Sequence, residues 1–142
     1  MADMWIVIGA ISGFIAVAAG AFGDHGLRGR ISDDMLRIWN VAAHYQLTHS
    51  ILIAAIALVG DGPPPRLRIA CLSAFTIGIL IFSGSLYALA LTETKALGAI
   101  TPVGGVALLT GWVLLAVIGF KRRCGKSISI PPMSSPIDQV AD

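Results

Sequence analysis

Three histidines, His25, His44 and His49, are the side chains best suited to chemistry in this chain. An imidazole can ligate a metal or haem, or exchange a proton near neutral pH. His44 and His49 lie in a stretch that also holds Tyr45, Gln46, Thr48 and Ser50. At about 100° per residue on a helix, Tyr45, Gln46 and His49 share one stripe, and His44 and Thr48 a neighbouring one. His25 sits on the same side of the arrangement as His44, so a metal pair between them is sterically open. A pair with His49 would need the intervening glycine-rich loop to fold inward. No carboxylate or cysteine cluster accompanies these rings, which makes a poor donor set for a metal. Two readings stay open: a redox- or proton-linked subunit using His25, His44 and His49, or a neutral His49 hydrogen-bonded to a neighbouring helix. The second is favoured, and no cofactor or metal is expected.

Hydroxyls form the other polar group. Ser83 and Ser85 stand in Phe82-Ser-Gly-Ser-Leu-Tyr, and Thr101 opens Thr-Pro-Val-Gly-Gly. They could line a narrow polar path for a small solute, or tie helices together with bonds worth roughly 0.6–2 kcal/mol each. Tying is favoured, and Ser83, Ser85, Tyr87 and Thr101 are the expected partners of His49. No serine or cysteine has a base and a carboxylate at suggestive positions, so the chain leans away from an enzyme. The glycines at 20, 23, 26 and 29 are not a phosphate loop of the Walker type, because no Gly-Lys-Ser/Thr follows; they predict a tight turn with close backbone approach.

The elements that must position these groups are four charge-free runs at residues 4–22, 41–59, 69–91 and 97–120. Each is about as long as a helix needs to cross the roughly 30 Å hydrocarbon layer. Of the 142 residues, 56% are hydrophobic and 13% charged, against about 25% charged in soluble domains. The expected fold is all-α membrane, a four-transmembrane-helix bundle over residues 1–123, with a flexible polar tail at 124–142. A net charge of +2, spread over several loops, gives no case for a nucleic-acid partner. The expected partners are the lipid bilayer and a membrane protein or a second copy. Cys71 and Cys124 are too few for a disulfide framework. The first run lacks a basic segment before it, so it reads as a span rather than a cleaved leader.

Small residues four apart predict close helix contacts: Gly9 with Gly13, Ala16 with Gly20, Ala74 with Gly78, Thr101 with Gly105, and Ala107 with Gly111. Ser32 reads as an N-cap with Asp33 and Asp34 in the first turn, and Trp39 falls at the depth of an aromatic belt. Pro102 belongs either in the first turn of the fourth helix or at the start of a new one after a separate 97–101 segment. An even number of spans puts both termini on one side. That side carries Arg66, Arg68, Lys121, Arg122, Arg123 and Lys126, and the other carries Arg28, Arg30, Arg37 and Lys95. Six against four favours both termini inside.

Several segments together resemble a known family: Gly20-Ala-Phe-Gly-Asp-His-Gly-Leu, Tyr45-Gln-Leu-Thr-His, Phe82-Ser-Gly-Ser-Leu-Tyr-Ala-Leu-Ala-Leu-Thr, Leu97-Gly-Ala-Ile-Thr-Pro-Val-Gly-Gly, and Gly111-Trp112. The resemblance, over about residues 5–120, is to the YgdD-like family of small four-helix inner-membrane proteins, domain of unknown function family DUF 423. Asp24 departs from the alanine usual there, and the tail is an extension. The resemblance implies the fold and an inner-membrane location but no activity. His25 and His49 carry over as family-typical positions without a role. The expected function is an integral membrane protein of unknown specific activity, a structural or accessory helix-packing component of a membrane complex or homo-oligomer.

Overall fold

Ser32 starts the second helix as its position predicts. Its hydroxyl accepts from the Met35 backbone N–H at 3.3 Å, and Asp33 and Asp34 fill the first turn, where carboxylates oppose the positive end of the helix dipole. The computed structural model describes residues 2–59 and 65–126. It contains α1 (Ala2–Phe22), a π-helical turn (Gly23–Leu27), α2 (Asp33–Leu58), α3 (Pro65–Thr92) and α4 (Lys95–Lys126). All four α-helices are long and apolar enough to cross a membrane. The protein is an all-α membrane protein built as a four-helix bundle. The proline-rich connection at 60–64 and the tail at 127–142 lie outside the described residues. Helix α4 continues to Lys126.

Neighbours in sequence pack as neighbours in space: α1 on α2, α2 on α3, α3 on α4. Helices α2 and α3 form the middle of the bundle. Helices α1 and α4 flank it and turn large apolar side chains outward, such as Ile11, Phe14 and Val17 on one and Val106, Leu109 and Val113 on the other. Lipid tails are as apolar as these side chains, so close packing and hydrogen bonds hold the helices together rather than hydrophobic exclusion. The main cluster joins Ile53 of α2, Cys71, Leu72, Phe75 and Ile79 of α3, and Leu108 and Ile118 of α4. The Cys71 thiol is free and reaches the Gly111 carbonyl at 3.4 Å.

The α3–α4 interface runs antiparallel in a regular register. Cys71 and Phe75 meet Gly111, Gly78 meets Leu108, Phe82 meets Gly104, and Ser85 meets Thr101. A Cβ at Gly104 would lie 2.7 Å from the Phe82 Cα, and one at Gly78 would lie 2.9 Å from the Leu108 backbone nitrogen. The expected contact at Gly105 shifts by one residue: a Cβ there would meet only the Phe82 ring, at 3.8 Å. The contact positions 101, 104, 108 and 111 follow a spacing near 3.5, which passes over 105. Ala74 is half-buried on α3. On α1, Gly9 lies against α2, where a Cβ would come within 3.0 Å of the Ser50 carbonyl and the Ala54 nitrogen; Ala16 is buried. Gly13 would make an ordinary 3.7 Å contact, and Gly20 faces nothing within 4 Å.

Two local expectations are corrected. Pro102 sits inside α4, past its first turn, and the helix starts once, at Lys95. Membrane helices tolerate an internal proline when hydroxyls and local adjustment serve the freed backbone groups. The missing Pro102 N–H frees the Gly98 carbonyl, and one residue earlier the Thr101 hydroxyl donates to the Leu97 carbonyl at 3.3 Å. Trp39 is not at the lipid surface; it is 8% exposed. Its indole N–H donates to the Ala19 carbonyl at 2.7 Å, and its ring lies 4.5 Å from that of Tyr87. Gly23 makes room, since a Cβ there would lie 2.7 Å from the Trp39 ring. The π turn therefore supplies the close approach that the glycine series predicts.

Candidate functional site

The inward face of α2 collects the polar residues: Gln46, His49 and Ser50 are buried alongside Trp39, Ala42, Ala43, Ile53 and Ala57. Their spacing is one helical face. Gln46 lies at the centre. Its Nε2 donates to the Ser12 carbonyl at 3.0 Å, and its Oε1 accepts from the Tyr87 hydroxyl at 3.0 Å. A carbonyl can only accept, so these two partners settle which way the amide points. One side chain thus links α1, α2 and α3. Beside it, the Ser50 and Ser12 hydroxyls are 2.7 Å apart, and Ser50 donates to the Gln46 carbonyl at 2.6 Å.

His49 is 5% exposed and uses both ring nitrogens. Nε2 accepts from the Trp112 indole N–H at 3.3 Å, and Nδ1 lies 2.7 Å from the Tyr45 carbonyl. An indole only donates and a carbonyl only accepts, so Nδ1 carries the proton and the ring is neutral. The Phe75 and Trp112 rings pack around it at 5.6 and 6.2 Å, and the Tyr45 ring stacks on it at 5.9 Å. No lone pair is left over for a metal.

The expected His49 partners bond elsewhere. Ser83 donates to the Ala42 carbonyl at 2.9 Å, joining α3 to α2. Ser85 donates to the Phe82 carbonyl, and its oxygen is 2.9 Å from that of Thr101, joining α3 to α4. Tyr87 serves Gln46. The true partner, Trp112, comes from α4, whose rotation against α2 cannot be read from a run that is apolar all round. Ser12 was likewise missed, although it stands directly before Gly13 on the packing face of α1.

The other two histidines are elsewhere. His44 and Tyr45 are exposed on the outer side of α2, and His25 is exposed in the π turn. The stripe expected for Tyr45, Gln46 and His49 is split, with Tyr45 at its rim and Ser50 in its place. Among the described residues, no three His, Cys, Asp or Glu side chains are grouped to hold a metal. The arrangement is a seam of helix-to-helix hydrogen bonds.

A family model described as a protein of unknown function, DUF423, matches residues 19–105. The chain is 42% identical over 118 residues to the UPF0382 membrane protein SAB0533 of Staphylococcus aureus (strain bovine RF122 / ET3-1), covering 83% of this chain and 96% of that one. It is 37% identical over 125 residues to the UPF0382 membrane protein YwdK of Bacillus subtilis (strain 168), covering 83% and 97%. No solved structure matches the chain.

Proposed function

The chain belongs to DUF423, a family described as of unknown function, and from that premise we propose that it is a structural or accessory component of the membrane, packing against a second copy or a larger membrane complex. One observation carries this reading. Among the described residues, every buried polar side chain, Gln46, His49, Ser50, Ser83 and Ser85, is engaged in hydrogen bonds within or between helices. Such groups hold a bundle together and have little capacity left for chemistry. Native electrophoresis in mild detergent tests the reading. An oligomer or a co-purifying membrane partner is the expected result, and a strictly monomeric species without one counts against it. An absorption spectrum with metal analysis is the second arm. A haem band or stoichiometric metal, lost in His→Ala variants, would replace this proposal with a redox role.

We also propose the inner, cytoplasmic membrane as the location, with both termini in the cytoplasm. The support is the excess of basic residues beside 60–65 and after Phe120 over those at the opposite end.

A further inference from the structure

A recess of about 670 Å³ opens along the outer side of α2 near its start. Its polar wall is Arg28, Asp33, Arg37, Asn40 and His44, and its apolar wall includes Val41 and Tyr45. Neither the Asn40 amide nor the His44 ring hydrogen-bonds another described residue, and both are exposed. They stand where the chain enters the bilayer: Arg37 is the last charge on α2, and the charge-free run begins at Val41. Arg37 and Tyr45 are about 12 Å apart along the axis at 1.5 Å per residue. The recess therefore passes from charged to apolar over the depth at which a phospholipid headgroup gives way to its chains.

The charges choose among headgroups. Arg28 pairs with Asp24, and Arg37 with Asp34, each at 3.1 Å with side chains 53–78% exposed. Exposed pairs of this kind exchange readily, and each guanidinium has five donors, more than one carboxylate contact uses. A phosphate can take the remaining donors in bidentate fashion. Asp33 adds a carboxylate in no ion pair among the described residues. Two guanidiniums beside a carboxylate complement a phosphate that carries an ammonium better than a purely anionic group.

We propose that this recess binds the phosphoethanolamine headgroup of a membrane phospholipid. The phosphate lies against Arg28 and Arg37, and the ammonium against Asp33. Asn40 and His44 donate to the ester oxygens below, and the acyl chains descend past Val41 and Tyr45. The full chain, purified in maltoside detergent and stripped of lipid, is titrated with phosphatidylethanolamine or phosphatidylglycerol and read by native mass spectrometry. Phosphatidylethanolamine adducts should exceed phosphatidylglycerol adducts. The Arg28→Gln/Arg37→Gln double variant should lower phosphatidylethanolamine occupancy about fivefold or more, equivalent to roughly 1 kcal/mol. Asp33→Asn should instead bring the two lipids level. These positions are exposed, and unchanged helical circular dichroism checks that the bundle is intact. Undiminished occupancy in the double variant, or preference for phosphatidylglycerol in the native chain, overturns the proposal. So does displacement of the lipid by millimolar soluble phosphoethanolamine or inorganic phosphate, which would mark a solute site. A disulfide-linked dimer formed through Asn40→Cys in lipid would also overturn it, because a second copy would then fill the recess.

Discussion

A histidine near the middle of a membrane helix invites a catalytic reading, yet the His49 ring is held by two groups of opposite character. Trp112 can only donate to it and the Tyr45 carbonyl can only accept from it, so the pair suits the neutral ring alone. His49→Leu leaves the Trp112 indole N–H without its acceptor and should destabilise the bundle by about 1 kcal/mol. Adding Trp112→Phe should recover part of that loss, because donor and acceptor are then removed together. Reversible unfolding of the two single variants and the double variant measures this. Strict additivity would mean that the hydrogen bond contributes nothing. Gln46 makes a sharper case, since its amide links three helices. Gln46→Leu should cost more than Ser83→Ala in the same assay, because Ser83 joins only α3 to α2.

At the scale of helices, interface position matters more than residue type. Gly104 and Gly105 are adjacent glycines, but only the first touches backbone across the interface. Gly104→Ala should destabilise by about 1–3 kcal/mol through overpacking against Phe82, whereas Gly105→Ala and Gly20→Ala should be close to neutral. Equal losses at 104 and 105 would contradict the α3–α4 register. The turn between these helices offers a change in the other direction. Glu93 follows the last residue of α3 with φ +54°, and its N–H donates to the Leu89 carbonyl at 2.8 Å. That left-handed cap ordinarily takes glycine. Glu93→Gly should raise stability by about 1 kcal/mol, visible as a higher unfolding midpoint.

For the whole molecule, four spanning helices place the start of α1 and the end of α4 on one side of the membrane. Cysteine labelling from outside intact cells should therefore give the same answer at both termini and the opposite answer at the π turn. Labelling that separates the termini would remove one span from the fold. Within the bundle α1 and α4 are flanking helices, joined directly to α2 and α3, and their outward faces are among the surfaces available to lipid or to a partner.

Much of this architecture was legible in the residues. Charge-free runs of spanning length fix the class, because a charge in hydrocarbon is too costly to be scattered at random. Ser32 with Asp33 and Asp34 marks a helix start through local capping, whereas of the glycines in the spacing-by-four pairs Gly9, Gly78 and Gly111 approach a neighbouring helix closely and Gly13, Gly20 and Gly105 do not. Rotation of each helix about its own axis was not legible. A span that is apolar on every side carries no period to say which face turns inward, since lipid and core are equally apolar. Only the assembled bundle decides that Gln46 and His49 point inward while His44 points out, that Trp112 rather than a hydroxyl meets His49, and that Gly104 rather than Gly105 lies against Phe82. Those outcomes depend on close packing between helices, which is long-range in sequence and has no local signature.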